Sequence, residues 1–474
     1  MLPIALQVLC QQIQGRLYLP RSSTLTPESL IQADWCLDSR QVRTGDIFVA
    51  YQGQHLDSHA YLGQAAQAGA CLAVVEKYQA HIEIPQITVL KALSALAQIA
   101  QYQRQQLELT CIGITGNSGK TGVRQLMQAI LQQAQHPACI TQGNFNNEVG
   151  LPLTLLDGLQ PETHTCLLEM GAAQAGDLSY LCQIAQPNIG LITNVTGAHI
   201  GRFGSLDQIA EAKAELIRAL PQGGIAVLNM QDAFYPYWRT QVPDGVTCIS
   251  FAQEMSADIY ATSVQAGPQA CYRFQLQLPH APSLPIQLNL LGRHQVDNAL
   301  AAASLAYLLR IPAPAIQAGL QEVQPSQGRL YPCTSKQGAY LIDDTYNASP
   351  GAVKAAIDIL QDAKADKTCV LVLGDLAELG DYSAQLHAEL GAYAAQAGVH
   401  HLYTLGQNTR YTHENFCQKL APKRQSAYHA DTQEELLNAL QHFLAQHPHP
   451  QQVRVLVKGA RSAAMEKLVQ AFIQ

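Results

Sequence analysis

Apolar and polar positions alternate with two different periods along the chain, and together they predict an α/β protein. Short apolar runs such as CLAVVE and NIGLITNV have the length and the polar or glycine ends of buried strands. Longer segments between such runs, including LSALAQIAQYQRQQ and VRQLMQAILQQA, repeat their apolar positions at helical spacing. This alternation predicts mostly parallel sheets covered by helices on both faces.

The pattern changes twice, which divides the chain into three predicted regions. Residues 1–107 contain the strand-like runs DIFVAY, CLAVVE and PQITVL and end in the Gln-rich stretch QYQRQQLEL. Residues 108–325 are predicted to form a mostly parallel sheet (CLLEMGA, NIGLITNV, GIAVLNM), with a β-rich insertion (DGVTCISF, CYRFQLQLP, LPIQLNLLG) before the helix QVDNALAAASLAYLL. Residues 326–474 are predicted to form a doubly wound, Rossmann-like unit with strands YLIDDT, CVLVLGD, HLYTLG and RVLVKGA.

Composition and charge argue against nucleic-acid binding, a disulfide framework and a membrane span. The 29 Lys and Arg residues against 36 Asp and Glu give a net charge of −7, without a basic block interleaved with aromatic residues, so a nucleic-acid partner is not expected. The 12 cysteines contain no C-x-x-C pair and are predicted to be reduced core residues. With no basic leader and no run of about 18 apolar residues, we expect a cytoplasmic protein without a membrane span.

The stretch GITGNSGKT, residues 113–121, combines two glycines, a lysine and a threonine between a predicted strand and a predicted helix. Backbone N–H groups at a helix N-terminus bind anions, the lysine can reach the outer phosphates of a nucleotide, and the threonine hydroxyl can hold Mg²⁺. The longer form of this motif begins with a glycine where this chain has Ile114. The strand before it and the helix after it favour a phosphate-binding loop over an ordinary turn.

Polar residues that follow the predicted strands are the next candidates, because ligands of open α/β sheets bind at the carboxyl ends of the strands. Glu169 and Asn194 end two such runs, and His199 and Lys213 follow. A carboxylate at Glu169 is well placed to hold Mg²⁺ near a transferred phosphate. Alternatively, Glu169 caps a strand and His199 is an ordinary loop residue. Lys213, in the helical stretch AEAKAELI, is by default expected to extend into solvent.

Motifs spread over nearly the whole chain resemble those of the Mur ligases of peptidoglycan synthesis. They are DSRQVRTGDIFVAYQG, SHAYLGQAAQAGA, TGNSGKT, GNFNNEVGLPLTLL, EMGA, TNVTGAHIGRFGS, AKAEL, LGRHQVDNALAA, DDTYNASP, LGDLAELG and VKGARS. Their order and spacing are specific as a set, although no single motif is decisive. The chain departs from the family pattern at Ser58, where glycine is usual, and at Gln231, where an acidic residue is common.

The resemblance implies three domains, namely a UDP-substrate domain, an ATPase domain and a C-terminal ligase domain. It implies ATP contacts at Thr115, Gly116, Asn117, Ser118, Gly119, Lys120, Thr121, Asn298, Arg329 and Asp344, and substrate contacts at Ser39, Arg40, Asn144, Asn146 and Asn147. The implied Mg²⁺ site comprises Thr121, Glu169, His199 and a carbamylated Lys213. The residues with implied catalytic roles are Lys120, His199 and Lys213.

The activity that the resemblance implies is ATP-dependent amide formation through an acyl phosphate, with release of ADP and phosphate. Its implied substrates are UDP-N-acetylmuramoyl-tripeptide and D-alanyl-D-alanine, and a monomer is expected. The sequence leaves open whether the third peptide residue of that substrate is lysine or a diaminopimelate.

Other functions remain open on the residues alone. Two of them are ligases of the same superfamily. The ligase that adds the third peptide residue is disfavoured because the C-terminal region lacks a D-N-P-R stretch. Folylpolyglutamate synthetase is disfavoured because the DSR-containing first region would be unexpected in it. A P-loop binding protein without catalysis is a third alternative. Binding alone would not require Lys213 together with Glu169 and His199.

Overall fold

The computed structural model describes residues 1–53, 56–197, 200–362, 367–420 and 425–473, and its strands form three main sheets within these ranges. The first sheet has the order β2-β7-β6-β5-β4 and is parallel except where β2 joins β7. Its strands, with the small pair β1 and β3, are β1 Ile4–Ala5, β2 Arg16–Tyr18, β3 Leu30–Ile31, β4 Trp35–Cys36, β5 Ile47–Ala50, β6 Leu72–Val75 and β7 Gln86–Thr88. The helices are α1 Leu6–Gln12, α2 Leu62–Gln67 and α3 Ala92–Gln105, with a 3₁₀ turn at Ser58–Tyr61.

The helix α3 connects the first sheet to the second. Its buried residues, including Leu96 and Ile99, belong to one continuous apolar core with Leu72 of the first sheet and Leu151 and Leu181 of the second region. The predicted break after residue 107 therefore does not separate two apolar cores. The boundaries 1–107, 108–325 and 326–474 stay predictions.

The second sheet has nine strands in the order β16-β15-β14-β13-β12-β11-β8-β10-β9 and is parallel from β9 to β14. The strands are β8 Thr110–Thr115, β9 Ala138–Ile140, β10 Thr165–Glu169, β11 Ile189–Ile192, β12 Ile225–Asn229, β13 Thr247–Ala252, β14 Ile259–Ala266, β15 Cys271–Gln277 and β16 Leu284–Leu291. The helices are α4 Lys120–Gln133, α5 Gly150–Gly158, α6 Asp177–Ala185, α7 Ile200–Phe203, α8 Leu206–Arg218, α9 Tyr235–Thr240, α10 His294–Leu308 and α11 Ala313–Glu322. Of the predicted β-rich insertion, CYRFQLQLP and LPIQLNLLG form the antiparallel strands β15 and β16 at the end of this sheet, next to β14, which was not predicted. The third run, DGVTCISF, forms β13, which belongs to the parallel part of the sheet.

The third sheet has the order β17-β18-β22-β19-β20-β21 and is parallel except for its edge strand β17. Its strands are β17 Tyr331–Thr334, β18 Tyr340–Asp344, β19 Thr368–Gly374, β20 His401–Leu405, β21 Ser426–Ala430 and β22 Val453–Lys458. The helices are α12 Pro350–Asp362, α13 Ser383–Ala397, α14 Thr409–Lys419, α15 Gln433–Gln446 and α16 Glu466–Ile473, with 3₁₀ turns at Gly380–Tyr382, Pro450–Gln452 and Arg461–Ala463. Apolar clusters cover both of its faces, which confirms the predicted doubly wound unit.

All 12 cysteines are free thiols, but the prediction that they are core residues holds for only six of them, since five are half-buried and Cys417 is exposed. Across the ranges given above, no helix is both long enough and apolar enough to cross a bilayer.

Candidate active site

A cleft of about 1820 Å³ lies between the second and third sheets. Strand β8 lies between β10 and β11, so the loops at its carboxyl end diverge and open a crevice there. Of the residues predicted from the sequence, the cleft is lined by Gly116, Asn117, Ser118, Gly119, Lys120, Thr121, Asn144, Asn146, Asn147, Glu169, Lys213, Asn298, Arg329 and Asp344. The fold thus assembles on one surface candidates from both the second and the third region.

The loop between β8 and α4 has the backbone of a phosphate-binding loop. Gly116 and Gly119 have φ angles of +140° and +86°, which glycine adopts readily. A Cβ at Gly116 would also lie 1.9 Å from the Thr193 Oγ1 atom, so the approach of β11 excludes any side chain there. Lys120 folds back over the loop and donates to the Gly116 carbonyl at 2.6 Å. Burial lowers the pKa of Lys120, a shift that the Glu169 carboxylate opposes and the Arg329 guanidinium increases.

Glu169 lies directly below this loop, at the end of β10. Its side chain is 2 % exposed, and its Oε2 atom accepts a hydrogen bond from the Thr121 hydroxyl at 3.2 Å. The Nε atom of Arg124 lies 2.6 Å from the other carboxylate oxygen, Oε1. One oxygen of Glu169 is therefore fixed by an ion pair, and the other faces the threonine of the loop.

The structure places Lys213 in the same cleft, although the helical pattern alone favours solvent exposure. Its side chain is only 3 % exposed on α8. Burial, reinforced by the nearby charge of Lys120, lowers the pKa of Lys213 to about 7. Glu215 ties α8 to the start of α6 by accepting hydrogen bonds from the backbone N–H groups of Gly176 and Ser179 at 2.7 and 2.9 Å. This contact fixes the helix that carries Lys213.

Helix α10 closes one side of the phosphate-binding loop. Asn298 is buried, and its Oδ1 atom lies so close to Gly119 that an added Cβ would be 2.6 Å away. Next to it, burial raises the pKa of Asp297 to about 6, and Gln253 donates to this carboxyl group at 2.8 Å. Burial also lowers the pKa of His294, at the start of the same helix, to about 4. Near neutral pH His294 is therefore uncharged, whereas the Asp297 carboxyl group is mostly ionised, so the face of α10 toward the cleft is polar and carries a carboxylate.

The third region presents a buried ion pair to the cleft. The Lys458 ammonium lies 2.6 Å from the Asp344 Oδ2 atom and also donates to the Asn347 carbonyl at 2.9 Å. Lys458 is 3 % exposed. Arg329 lies over the ring of Tyr346, with 3.9 Å between the guanidinium carbon and the ring centre. Within the part of the chain that the structure describes, the third-region wall of the cleft carries three cations and four carboxylates: Arg329, Lys458, Arg461, Asp344, Asp358, Asp362 and Glu378.

Two of the residues predicted to bind substrate lie away from the cleft. Ser39 is buried and donates to Gln64 at 3.0 Å, and the guanidinium of the exposed Arg40 donates two hydrogen bonds to Asp38, at 2.9 and 2.7 Å. Neither residue is part of the cleft lining. Their role in holding a UDP-sugar stays a prediction for the first sheet.

The three asparagines predicted to bind substrate do line the cleft. Asn147 is also structural, because its side chain accepts from the Gly150 N–H at 2.9 Å, at the start of α5. Asn146 lines the cleft as well, and its backbone carbonyl accepts from the Gly171 N–H at 2.7 Å.

The remaining predicted positions have different outcomes. Thr115 is fully buried and donates to the Met170 carbonyl at 2.9 Å, so its side chain is not in the cleft lining. His199 lies outside the described residues. Ser58 is buried, and its hydroxyl bonds both the N–H and the carbonyl of Tyr51 at 2.8 Å. Gln231 occupies an exposed turn, as expected.

Sequence reasoning missed two buried charges of the site, Arg124 and Lys458. Arg124 lies one helical turn after Thr121, so the i to i+3 spacing could have placed it on the same face of α4. Lys458 ends β22 in the VKGARS motif. Its place at the carboxyl end of a predicted parallel strand could have identified it as a residue of the site.

Comparison with known proteins gives matches along most of the chain. Residues 114–306 match the model of the Mur ligase middle domain, and residues 328–461 match the Mur ligase, glutamate ligase domain. The UDP-N-acetylmuramoyl-tripeptide–D-alanyl-D-alanine ligase of Escherichia coli (strain K12) is 33% identical over 440 residues, which cover 92% of each chain.

Solved structures agree with these matches. A crystal structure of MurF from Acinetobacter baumannii superimposes with a TM-score of 0.89 at 33% identity and covers 99% of this chain and 98% of that one. The MurF ligase from Thermotoga maritima, solved in complex with ADP, gives a TM-score of 0.80 at 25% identity over 93% of this chain and 97% of that one. The phosphate-binding loop, the cleft and these end-to-end similarities lead to one assignment: the chain belongs to the Mur ligase family, among the UDP-N-acetylmuramoyl-tripeptide–D-alanyl-D-alanine ligases.

Proposed function

We propose that this protein uses ATP to join the terminal carboxylate of UDP-N-acetylmuramoyl-tripeptide to the amine of D-alanyl-D-alanine, in the synthesis of peptidoglycan precursors. One observation carries the proposal: the cleft unites the phosphate-binding loop with Glu169, Lys213 and the Asp344–Lys458 pair of the third sheet. A carboxylate is a poor electrophile, so it must first attack the γ-phosphate of ATP to give an acyl phosphate and ADP. The amine then displaces phosphate from the acyl carbon.

Both steps concentrate negative charge, which this chain opposes with fixed positive groups. The N–H groups at the start of α4 and the Lys120 ammonium would surround the β- and γ-phosphates. In the structure the Lys120 ammonium is held by the Gly116 carbonyl at 2.6 Å, a contact that a phosphate would replace. Arg329 faces this loop from the third region, so its charge would add to that of Lys120.

The residues below the loop fit a magnesium ion. The Thr121 hydroxyl oxygen and the Glu169 Oε2 atom are 3.2 Å apart, close to the spacing of about 3 Å between neighbouring ligands of Mg²⁺, whose bonds to oxygen are about 2.1 Å long. When bound, Mg²⁺ would neutralise phosphate charge. Arg124 holds the second oxygen of Glu169 and so directs the first toward Thr121.

The position of Lys213 favours its conversion to a carbamate. In that reaction the ammonium first loses a proton, the neutral amine attacks CO₂ to form the new N–C bond, and a second proton leaves, so a cation becomes an anion. An ordinary lysine has a pKa of about 10.4 and contains little neutral amine at pH 7. Burial brings the pKa of Lys213 to about 7, which makes the amine available. The carbamate oxygens would then face Lys120 or a metal in the cleft.

The geometry of the cleft favours protection of the acyl phosphate from water. The second and third sheets supply opposite walls, so substrates held on the two sides would be brought together as water leaves. We assign nucleotide contacts to Asn298 on α10 and to Arg329 and Asp344 on the opposite wall. The Lys458 ammonium holds the Asp344 carboxylate in place for this contact.

The test is ADP release by the purified protein with UDP-N-acetylmuramoyl-tripeptide plus D-alanyl-D-alanine, and with each of them omitted. We expect ADP release that depends on both substrates and a product whose mass equals that of the two joined less one water. Preference for a free amino acid over the dipeptide would assign the chain to another branch of the family. ATP binding without turnover would favour the non-catalytic alternative.

A further inference from the structure

A direct contact between the second and third regions borders the cleft. The Gly201 N–H in α7 donates to the Glu378 carbonyl at 3.0 Å, and the Tyr382 hydroxyl donates to the Gly204 carbonyl at 3.0 Å. The side chains of Arg202 and Glu378 form an ion pair at the same place. A backbone hydrogen bond, a hydrogen bond from a tyrosine hydroxyl and an ion pair therefore join residues 201–204 to residues 378–382, the segment that precedes α13.

The contact leaves no space for a side chain at Gly201. An added Cβ would lie 2.4 Å from the Gly380 nitrogen, 2.6 Å from the Leu379 carbonyl carbon and 2.8 Å from the Glu378 carbonyl oxygen. These are backbone atoms of the third region, which cannot rotate away as a side chain can, so a side chain at Gly201 would push the two regions apart at this contact. Glu378 itself has a φ of +61°, a strained angle for a residue other than glycine.

A second close approach lies at the start of α12. A Cβ at Gly351 would be 2.8 Å from the Cβ of Thr196 and 3.0 Å from its Cγ2. Gly351 and Thr196 line the cleft, as do Arg202 and Glu378. The two regions thus meet at two glycines, one on each side of the interface, and these contacts set the distance between the cleft walls.

We propose that Gly201 and Gly351 are positioning residues, and that their missing side chains allow the third region to approach the phosphate-binding loop closely enough for amide formation. The inference rests on the proposed function. If it is correct, one methyl group at either glycine will hold the walls apart. Arg329 and Asp344 would then be displaced from Lys120, and misplacement of about 1 Å can reduce a rate by about 100-fold.

Local helix propensity predicts the opposite result, which makes the inference testable. Gly201 lies in α7, and alanine is the better helix former by about 1 kcal/mol. The same holds for Gly351 in α12. If each glycine had only a local role, alanine would leave shape and activity unchanged and would raise the melting temperature slightly.

Gly201→Ala and Gly351→Ala are therefore compared with Gly197→Ala. Gly197 lies four residues before Gly201, and an added Cβ there would meet no atom of the described residues within 4 Å. We expect each of the first two variants to increase the radius of gyration of the ligand-free protein in small-angle X-ray scattering and to lower kcat by roughly 10- to 100-fold. The control should match the wild type in both measurements.

The scattering measurement separates this inference from the proposed function, because it needs no substrate. An unchanged radius of gyration in both Gly201→Ala and Gly351→Ala would overturn the inference, whatever reaction the enzyme catalyses. If the variants have an increased radius of gyration but the wild type forms no amide, the inference about the two glycines stands and the proposed function is wrong. Native circular dichroism in every variant is required, and alanine at these helical positions should allow it.

Discussion

Arg124 and Glu169 form a buried ion pair beneath the phosphate-binding loop, with 2.6 Å between the Arg124 Nε atom and the Glu169 Oε1 atom. Arg124 lies on α4, the helix that follows β8, and Glu169 ends β10, the strand next to β8. The pair therefore joins α4 to β10. Their side chains are 9 % and 2 % exposed. The pair keeps a carboxylate charged at a depth where an unpaired charge is costly.

Arg124→Met should be strongly destabilising, because it leaves the Glu169 carboxylate buried without its partner. We expect a loss of about 3–5 kcal/mol in the free energy of unfolding of the second region, measured by urea denaturation. The double variant Arg124→Met with Glu169→Gln should recover much of this loss. As a control, Arg410→Met breaks the exposed pair with Asp431 and should cost at most about 1 kcal/mol. Equal losses in the two single variants would contradict the assigned role.

Lys120→Ala should abolish ligation and leave the fold intact. Among the described residues, the Lys120 ammonium donates to the Gly116 carbonyl of its own loop, so its removal breaks a contact within the loop and none with the apolar core. ADP release should fall by about 1000-fold or more, since the lysine acts on charge that develops in the transition state. Circular dichroism should match that of the wild type. Lys467→Ala, at an exposed position on α16, is the control. Near-normal ADP release by Lys120→Ala would be incompatible with the nucleotide assignment.

Lys213→Ala should lose most activity, and bicarbonate or acetate should restore part of it by supplying a carboxylate to the vacated space. Lys213→Arg should not be rescued, because the guanidinium keeps the positive charge and fills that space. With ¹³CO₂, the wild type should give a carbamate carbon signal that the alanine variant lacks. Full activity of Lys213→Ala without additives would reject the role of the carbamate.

In protein prepared free of CO₂, in which Lys213 is an unmodified amine, Lys213→Met should stabilise the fold, and it should inactivate the enzyme. The folded-state pKa of about 7 lies below the unfolded value, so the unfolded chain binds the proton more tightly. The resulting destabilisation grows as pH falls from about 10.5 to about 7 and is fully present below pH 7. At pH 7 the methionine variant should therefore gain about 2–5 kcal/mol. Thermal melts at pH 7 and pH 10 test this, because the gain should be smaller at pH 10.

Acid should weaken the third region through His401. Burial, with the charges of His400 and His447, lowers the pKa of His401 to about 4, against about 6.5 in an unfolded chain. The stabilisation from neutral His401 is present above pH 6.5 and is lost as pH falls from 6.5 to 4. We expect a loss of about 1–3 kcal/mol over this range and a flatter profile for His401→Gln. The exposed His81→Gln variant should keep the wild-type profile.

The sequence alone determined most of the architecture. Buried strands such as β10 and β19 are continuous apolar runs, and long amphipathic helices such as α3 repeat at helical spacing, so both were predicted correctly. Eight strands were missed: β1, β2, β3, β4, β9, β14, β17 and β21. Seven of them are edge strands, which pair on one side only and need less apolar sequence. The eighth, β14, mixes polar and apolar residues and contains a register shift after Thr262.

The sequence also located the phosphate-binding loop, because two glycines, a lysine and a threonine between a strand and a helix form a local signal. Local pattern could not decide which distant residues meet that loop. Only the packing of α8 buries Lys213 and lowers its pKa, and only the approach of α4 to β10 pairs Arg124 with Glu169. The fit of Gly201 against Gly380 likewise depends on how two separate sheets pack. Burial and electrostatic coupling arise between segments far apart in the chain, so tertiary structure alone determined them.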